Sequence, residues 1–391
     1  MSTASKTARM KSKDSNATLS AITATAPVPH LRPPRDFAPG APPQPYPDPD
    51  VIVVEPGFER LLQRNTPLQR LWTGGLWSEG PAWNAQGRYF VWSDIPNNRQ
   101  LRWLEEDGHV SVFRSPSNNS NGNTFDFAGR QITCEHLTRR LVRFELDGSL
   151  TVLATHYQGK RLNSPNDVIA HPDGSYWFTD PPYGAQLYEG TVDVPGGPAN
   201  REGRLNQRVG QPAEIGSDQR EMATNVYRLD PSGRLDLVVG EDQVRDPNGL
   251  CFSPDYRTLY VVSTGRGPGD EHDGGGGDLH AFDAAASKRS PGRLTRQRLF
   301  TDFVVDGVKC KPDGLRADVD GNLWCASAAM TNVDYSGVTI WSPQGELLGR
   351  IRLPEGCANV CFGGPKRNRL FMAASQSIYA LYTATQGASP G

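Results

Sequence analysis

Short alternating apolar runs recur along most of the chain, each opened by a polar residue and divided by a tight turn. Glu79-Gly80-Pro81-Ala82-Trp83 leads to Tyr89-Phe90-Val91-Trp92, and Asn166-Asp167-Val168-Ile169 leads to Tyr176-Trp177-Phe178. Asn248-Gly249-Leu250-Cys251-Phe252 leads to Leu259-Tyr260-Val261-Val262, and Asp313-Gly314-Leu315 leads to Leu323-Trp324-Cys325. In each pair the second run centres about eleven residues after the polar starter, a hairpin length. Weaker copies start at Asn123, ahead of Ile132-Thr133-Cys134, and at Asn359, ahead of Leu370-Phe371-Met372. Most copies continue into another hairpin, turning at Asp107-Gly108, Asp147-Gly148, Ser232-Gly233 and Gln344-Gly345. Four strands per repeat at a spacing of about 40 to 45 residues is the pattern of propeller blades. The chain is therefore expected to be all-β, a six-bladed β-propeller with four-stranded antiparallel blades. Leu68-Gln69-Arg70-Leu71-Trp72 is expected to pair into the last blade and close the ring, which removes exposed strand edges.

The propeller is expected over residues 49–384 as one domain. Residues 1–48 are Pro/Ala/Ser-rich, a composition that cannot bury a core, and are expected to be disordered. Residues 385–391 are expected to form a flexible tail. Two stretches interrupt the repeat: a polar insertion between Ala185 and Glu221, and a loop between Thr264 and Asp278 that contains four consecutive glycines. Both read as surface loops able to cover one face. Asp270, Glu271 and Asp273 in the second loop read as solvated side chains rather than a second ion site. The glycines are not followed by a Lys-Ser/Thr ending or a helix, so they form no phosphate cradle.

Composition narrows the classes. Of 391 residues, 37% are hydrophobic and 21% charged, enough to bury a large core. The 41 Gly and 32 Pro favour short strands and tight turns over long helices. A net charge of -2 without a basic face argues against nucleic acid. No run approaches the roughly 20 apolar residues that span a bilayer, so no membrane partner is expected. The N-terminus lacks a secretory apolar core and a twin arginine, and a cytoplasmic location is the expectation. The six cysteines form no Cys-x-x-Cys pair and read as reduced, buried thiols.

The polar starters carry the chemistry. In a propeller, equivalent positions on the innermost strands converge on the axis. Glu79, Asn166, Asn248 and Asp313 would then bring two carboxylates and two amide oxygens to one point. Two desolvated carboxylates repel, and a divalent cation cancels both charges. An all-oxygen set favours Ca2+, with Mg2+, Mn2+ and Zn2+ left open. Pro-Asn-Gly and Pro-Asp-Gly are also common turn sequences. Here, however, the hairpin turns are supplied separately, at Pro172-Asp173-Gly174, Pro254-Asp255 and Asp320-Gly321, and Glu79 is not a turn former.

Ser78-Glu79-Gly80-Pro81-Ala82-Trp83, the run from Leu162 through Gly184, and Lys311-Pro312-Asp313-Gly314-Leu315 resemble the gluconolactonase, regucalcin and senescence-marker-protein family of six-bladed propellers. Cys134-Glu135-His136 with Arg139 and Arg140 is similar to its bacterial gluconolactonase branch. The resemblance spans about residues 50 to 383. It implies a divalent metal held by Glu79, Asn248 and Asp313, with Asn166 either a ligand or a contact to substrate or water. It also implies hydrolysis of a lactone, sugar lactone to aldonic acid, with Asp313 as the candidate catalytic base. Asn163, His136, Arg139 and Tyr183 join Asn166 as candidate substrate contacts, although a lone histidine is more often structural and Asn163 and Ser164 could equally cap a turn. Two rival readings use the same scaffold: a metal-dependent arylesterase or phosphotriesterase, and a calcium-binding propeller without turnover. A Ser-His-Asp hydrolase is disfavoured, because the chain has no Gly-x-Ser-x-Gly elbow.

Overall fold

A computed structural model describes residues 35–186, 221–264, 276–284, 292–329 and 332–388. The insertion after Gln186, up to residue 220, and residues 265–275 of the glycine-rich loop, with Asp270, Glu271 and Asp273, lie outside the described residues.

Alternation along each repeat produces six antiparallel sheets. Blade 1 is Ser78–Asn84, Tyr89–Asp94, Arg99–Leu104 and Val110–Arg114. Blade 2 is Ser120–Phe125, Gln131–Glu135, Arg140–Phe144 and Leu150–Ala154. Blade 3 is Val168–Ala170, Tyr176–Asp180, Asn225–Leu229 and Leu235–Val239. Blade 4 is Pro247–Phe252, Thr258–Ser263, Asp278–Ala284 and Leu294–Thr301. Blade 5 is Lys311–Ala317, Leu323–Ala328, Gly337–Trp341 and Leu347–Arg352, and Val51–Val53 adds a fifth strand at its outer edge. Blade 6 is Cys357–Gly363, Arg369–Ala374 and Ser377–Tyr382, completed by Gln69–Thr73. The segment expected to close the ring does so, pairing Gln69 with Ala380 and Thr73 with Ser377.

The innermost strand of each blade touches that of the next, and the strand of blade 6 touches that of blade 1. Apolar residues fill the wedges between blades. Trp83, Phe90, Trp92 and Trp103 of blade 1 cluster with Phe371 of blade 6, and the rings of Phe90 and Phe371 stack at 4.6 Å. Burying one such side chain contributes about 1.5–3 kcal/mol. The wedge between blades 1 and 2 differs, with only Ala82, Val91 and Phe125 as its fully buried apolar set. A hydrogen-bonded cluster takes over there, as described below. All six cysteines are buried and unpaired, as expected.

The packed chain extends past both ends of the 49–384 span. Arg35 donates to Asp48 at 2.8 Å, to Asp50 at 3.2 Å and to the carbonyl of Leu68 at 2.7 Å. At the other end, the amide of Gly387 donates to the Arg367 carbonyl and that of Ala388 to the Ala317 carbonyl. No helix among the described residues is long and apolar enough to cross a membrane.

Candidate metal and substrate site

In blades 1, 2, 4 and 5 the innermost strand starts with a register shift that interrupts its pairing, between Glu79 and Ala82, Ser120 and Asn123, Pro247 and Leu250, and Pro312 and Leu315. The shift frees Asn121, Asn248 and Asp313 from the ladder and lets their side chains turn inward, whereas Glu79 keeps its pairing with Ser93 at the edge of the shift. Glycine follows the starter in blades 1, 2, 4 and 5 because the next blade lies against it. A Cβ on Gly80, which has φ +55°, would sit 2.0 Å from the Asn121 carbonyl oxygen, and one on Gly249 would sit 2.2 Å from that of Asp313. The glycines thus set how closely neighbouring starters approach.

The four expected starters are brought together. The Asn166 Nδ2 donates to Asn248 Oδ1 at 2.6 Å. Asn248 in turn hydrogen-bonds the Asp313 carboxylate and donates from Nδ2 to Thr264 Oγ1 at 2.7 Å. Glu79 lies close enough to Asp313 for its charge to disfavour ionisation of Asp313. Glu79 is 4% exposed, Asn166 3% and Asn248 5%. Burial is the main reason that the Glu79 carboxyl is pushed up to about 7, with the Asp167 charge adding to it. The amide of Gly80, the side chain of Asn359 and the charge of Arg316 pull in the opposite direction. Burial, then Glu79, then Asp167 push Asp313 well above the usual carboxylate range.

The repeat needs one correction in blade 2. The starter position there is held by Asn121, not Asn123. Asn121 Nδ2 donates to Asn166 Oδ1 at 2.6 Å, extending the inner chain of amides by one blade. Asn123 is a structural hub. Its Oδ1 accepts from Gln100 at 2.9 Å, Gln131 at 3.0 Å and Thr133 at 2.8 Å, while its Nδ2 donates to the Gly80 carbonyl at 2.9 Å. The Ser-Asn-Gly at 120–122 repeats the Asn-Gly of 248–249, and that signal was available in the sequence. In blade 6 the starter position is Ala358; Asn359 occupies the next one, and its side chain hydrogen-bonds Glu79.

These residues fit a divalent cation. Their donors are hard oxygens, and each amide oxygen retains a lone pair beyond its present bond. Asp313 Oδ1 is buried with no hydrogen-bond partner among the described residues. A bare anionic oxygen at that depth is costly unless a cation meets it. No cluster of three or more His, Cys, Asp and Glu residues with ligand geometry exists among the described residues, and half of the expected set is asparagine.

The expected substrate contacts group around the segment that joins blades 2 and 3. His136 is 1% exposed, and its backbone pairs with Asn119 and Arg139. The Arg139 Nε donates to the carbonyls of Leu162 at 2.6 Å and Asn163 at 2.9 Å, so this guanidinium holds the loop. Asn163 Nδ2 is committed to the Asp180 carbonyl at 3.1 Å, whereas its Oδ1 is buried with no partner among the described residues. Ser164 Oγ donates to the Pro181 carbonyl at 2.6 Å and accepts from the Gly184 amide at 2.9 Å, a capping arrangement. The Tyr183 hydroxyl donates to the Asp246 carbonyl at 3.3 Å, beside the Pro247-Asn248 starter. Sequence reasoning missed Asp180 beneath this loop. Its Oδ2 accepts from the Asn163 amide at 2.8 Å, and burial pushes its carboxyl up to about 7. It also missed Asp167 and Arg316, which pair across the channel at 3.5 Å.

A family model for the SMP-30/Gluconolactonase/LRE-like region matches residues 77–376. A gluconolactonase of Zymomonas mobilis is 30% identical over 354 residues, 86% of this chain and 87% of that one. The solved structure of a gluconolactonase from Xanthomonas campestris aligns with TM-score 0.68 at 32% identity, over 88% of this chain and 99% of that chain. A calcium-binding protein, regucalcin, from Agrobacterium tumefaciens shares the fold at 19% identity and TM-score 0.57, over 81% of this chain and 94% of that chain.

Proposed function

Because the chain belongs to the SMP-30/gluconolactonase/LRE-like family, we propose that it is a divalent-cation-dependent lactonase that opens a sugar lactone to the aldonic acid. The meeting of Glu79, Asn166, Asn248 and Asp313, with Asp313 Oδ1 left bare, carries this reading. Glu79, Asn248, Asp313 and Asn166 would hold the ion, with Ca2+ preferred by an all-oxygen set. The bound cation would supply Lewis-acid polarisation of the lactone carbonyl.

The chain's own groups supply the rest. Asp313 is the proposed base: burial beside Glu79 raises its proton affinity, which suits a group that takes a proton from the attacking water. Water oxygen bonds to the carbonyl carbon, the ring C–O bond breaks, and the proton held at Asp313 passes to the departing alkoxide. The Asn163 Oδ1, buried and without a partner among the described residues, is an acceptor for a substrate hydroxyl. His136 and Tyr183 would line the same mouth, and Arg139 would act on substrate through the Leu162-Asn163 backbone that it holds.

The test is a panel of gluconolactone, an aryl ester and an organophosphate on chelator-stripped protein restored with single metals. Restored opening of gluconolactone by Ca2+ above the other two substrates is expected. Asp313→Asn should lower kcat by about 100-fold or more, the scale of a lost general base. Faster turnover of the aryl ester or organophosphate would move the assignment to the esterase reading, and metal binding without turnover of any substrate would leave a calcium-binding propeller.

A further inference from the structure

Arg316 lies three residues after Asp313 on the innermost strand of blade 5, and Asp167 immediately follows the Asn166 starter of blade 3. Arg316 is 6% exposed and Asp167 1%. The Arg316 Nη1 donates to the Leu315 carbonyl at 2.8 Å and lies 3.5 Å from Asp167 Oδ2, so the pair spans blade 4. The Asp167 Oδ1 accepts from the Val168 amide at 2.9 Å. Both carboxylate oxygens are thus committed to protein, which makes Asp167 a charge beside the ion site rather than one of its donors. Arg316 Nη2 is buried with no hydrogen-bond partner among the described residues, so the guanidinium is not there for its hydrogen bonds alone. A charge kept at that depth is costly unless its field is used.

Its field does reach the starters: Arg316 lowers, and Asp167 raises, the proton affinity of Glu79. Once a cation displaces the protons of Glu79 and Asp313, these two and Asp167 carry three negative charges and Arg316 one positive, leaving two negative charges in a buried ring. A divalent cation brings that sum to zero. A trivalent one would leave a buried positive charge.

We propose that the Asp167–Arg316 pair fixes the net charge of the channel site and so makes it selective for a divalent over a trivalent ion. The inference rests on the cation reading given above, and the experiment separates the two. Dissociation constants for Ca2+ and Tb3+ are measured on the chelator-stripped full chain, by calorimetry and by Tb3+ luminescence, in the wild type and in Arg316→Met, Asp167→Asn, the double variant and Arg316→Lys. Arg316→Met leaves three negative charges and should shift the Ca2+-to-Tb3+ preference toward Tb3+ by about ten-fold or more, the effect of one unit charge at this range in a partly shielded interior. Asp167→Asn leaves one negative charge and should shift the preference the other way by a similar factor. The double variant restores the wild-type sum and should restore the wild-type ratio, and Arg316→Lys should leave it unmoved.

If either single variant fails to fold, the double variant and the remaining single still differ by one charge and give the same comparison. Equal changes in both affinities, or a shift in Arg316→Lys as large as in Arg316→Met, would overturn the inference and leave the cation site standing. Absence of Ca2+ binding by the wild type would remove both.

Discussion

Asp180 shows how one buried side chain sets a pH dependence without touching the proposed ligands. Its Oδ2 accepts from the Asn163 amide, and its Oδ1 is buried without a partner among the described residues. Burial outweighs the amides of Asn163 and Ser164 and the charge of Arg139, so the folded carboxyl titrates at about 7 against an ordinary 3.8. The folded state therefore binds this proton more tightly than the unfolded chain. The resulting stabilisation is fully present below pH 3.8 and is lost as the pH rises through 7. Across that window the loss is on the order of 4 kcal/mol. In cation-saturated protein, the stability advantage of Asp180→Asn over the wild type should grow by on the order of 3 kcal/mol between pH 5 and pH 8, as read by denaturant unfolding. A constant difference between the two proteins across that range would show that Asp180 is not the group that titrates.

At the scale of elements, the ring depends on how its two chain ends meet. The closing strand Gln69–Thr73 completes blade 6, and the strand Val51–Val53 lengthens blade 5. Arg35 joins the two, because its partners are Asp48, Asp50 and the carbonyl at the start of the closing strand. Asp50 is also bound by Arg352 of blade 5 at 2.7 Å, and Asp48 accepts from the Leu68 amide at 2.7 Å. Arg35→Ala would leave these buried carboxylates undercompensated. Its unfolding midpoint should fall by the equivalent of about 3 kcal/mol, and a change of a few tenths would show that the arm is ornamental. The blades and the closing strand were legible in the sequence because alternation and turn residues are local. The arm was not: Arg35 and Asp48 sit in a Pro-rich stretch whose composition signals disorder, and only their contacts with Leu68 and Asp50 give them a place. Asn123 shows the same limit. Its spacing resembled a starter, but its neighbours Gln100, Gln131 and Thr133 come from two other strands, one in blade 1 and one in blade 2, and make it a seam of the wedge. Arg316 stayed invisible because an arginine on an alternating strand reads as solvent-facing until the ring closes around it.

For the whole molecule, charge and stability are coupled through the channel. Without a cation, burial favours protons on both Glu79 and Asp313, and the charge of Glu79 adds to the effect at Asp313. A ligand that binds only the folded ring stabilises all six blades at once, because the starters come from different blades and the ring must be closed for them to meet. At a free cation concentration about 100-fold above its dissociation constant the gain is about 2.7 kcal/mol. Chelator-stripped wild type should therefore unfold at a lower temperature than Ca2+-loaded protein, with a difference that grows with the logarithm of Ca2+ concentration. Asp313→Asn should lose that concentration dependence while keeping the far-ultraviolet spectrum of a β-propeller. If the variant retained the full Ca2+-dependent rise, the ion would be bound elsewhere on the molecule, and the convergence of the starters would have to be explained by hydrogen bonding alone.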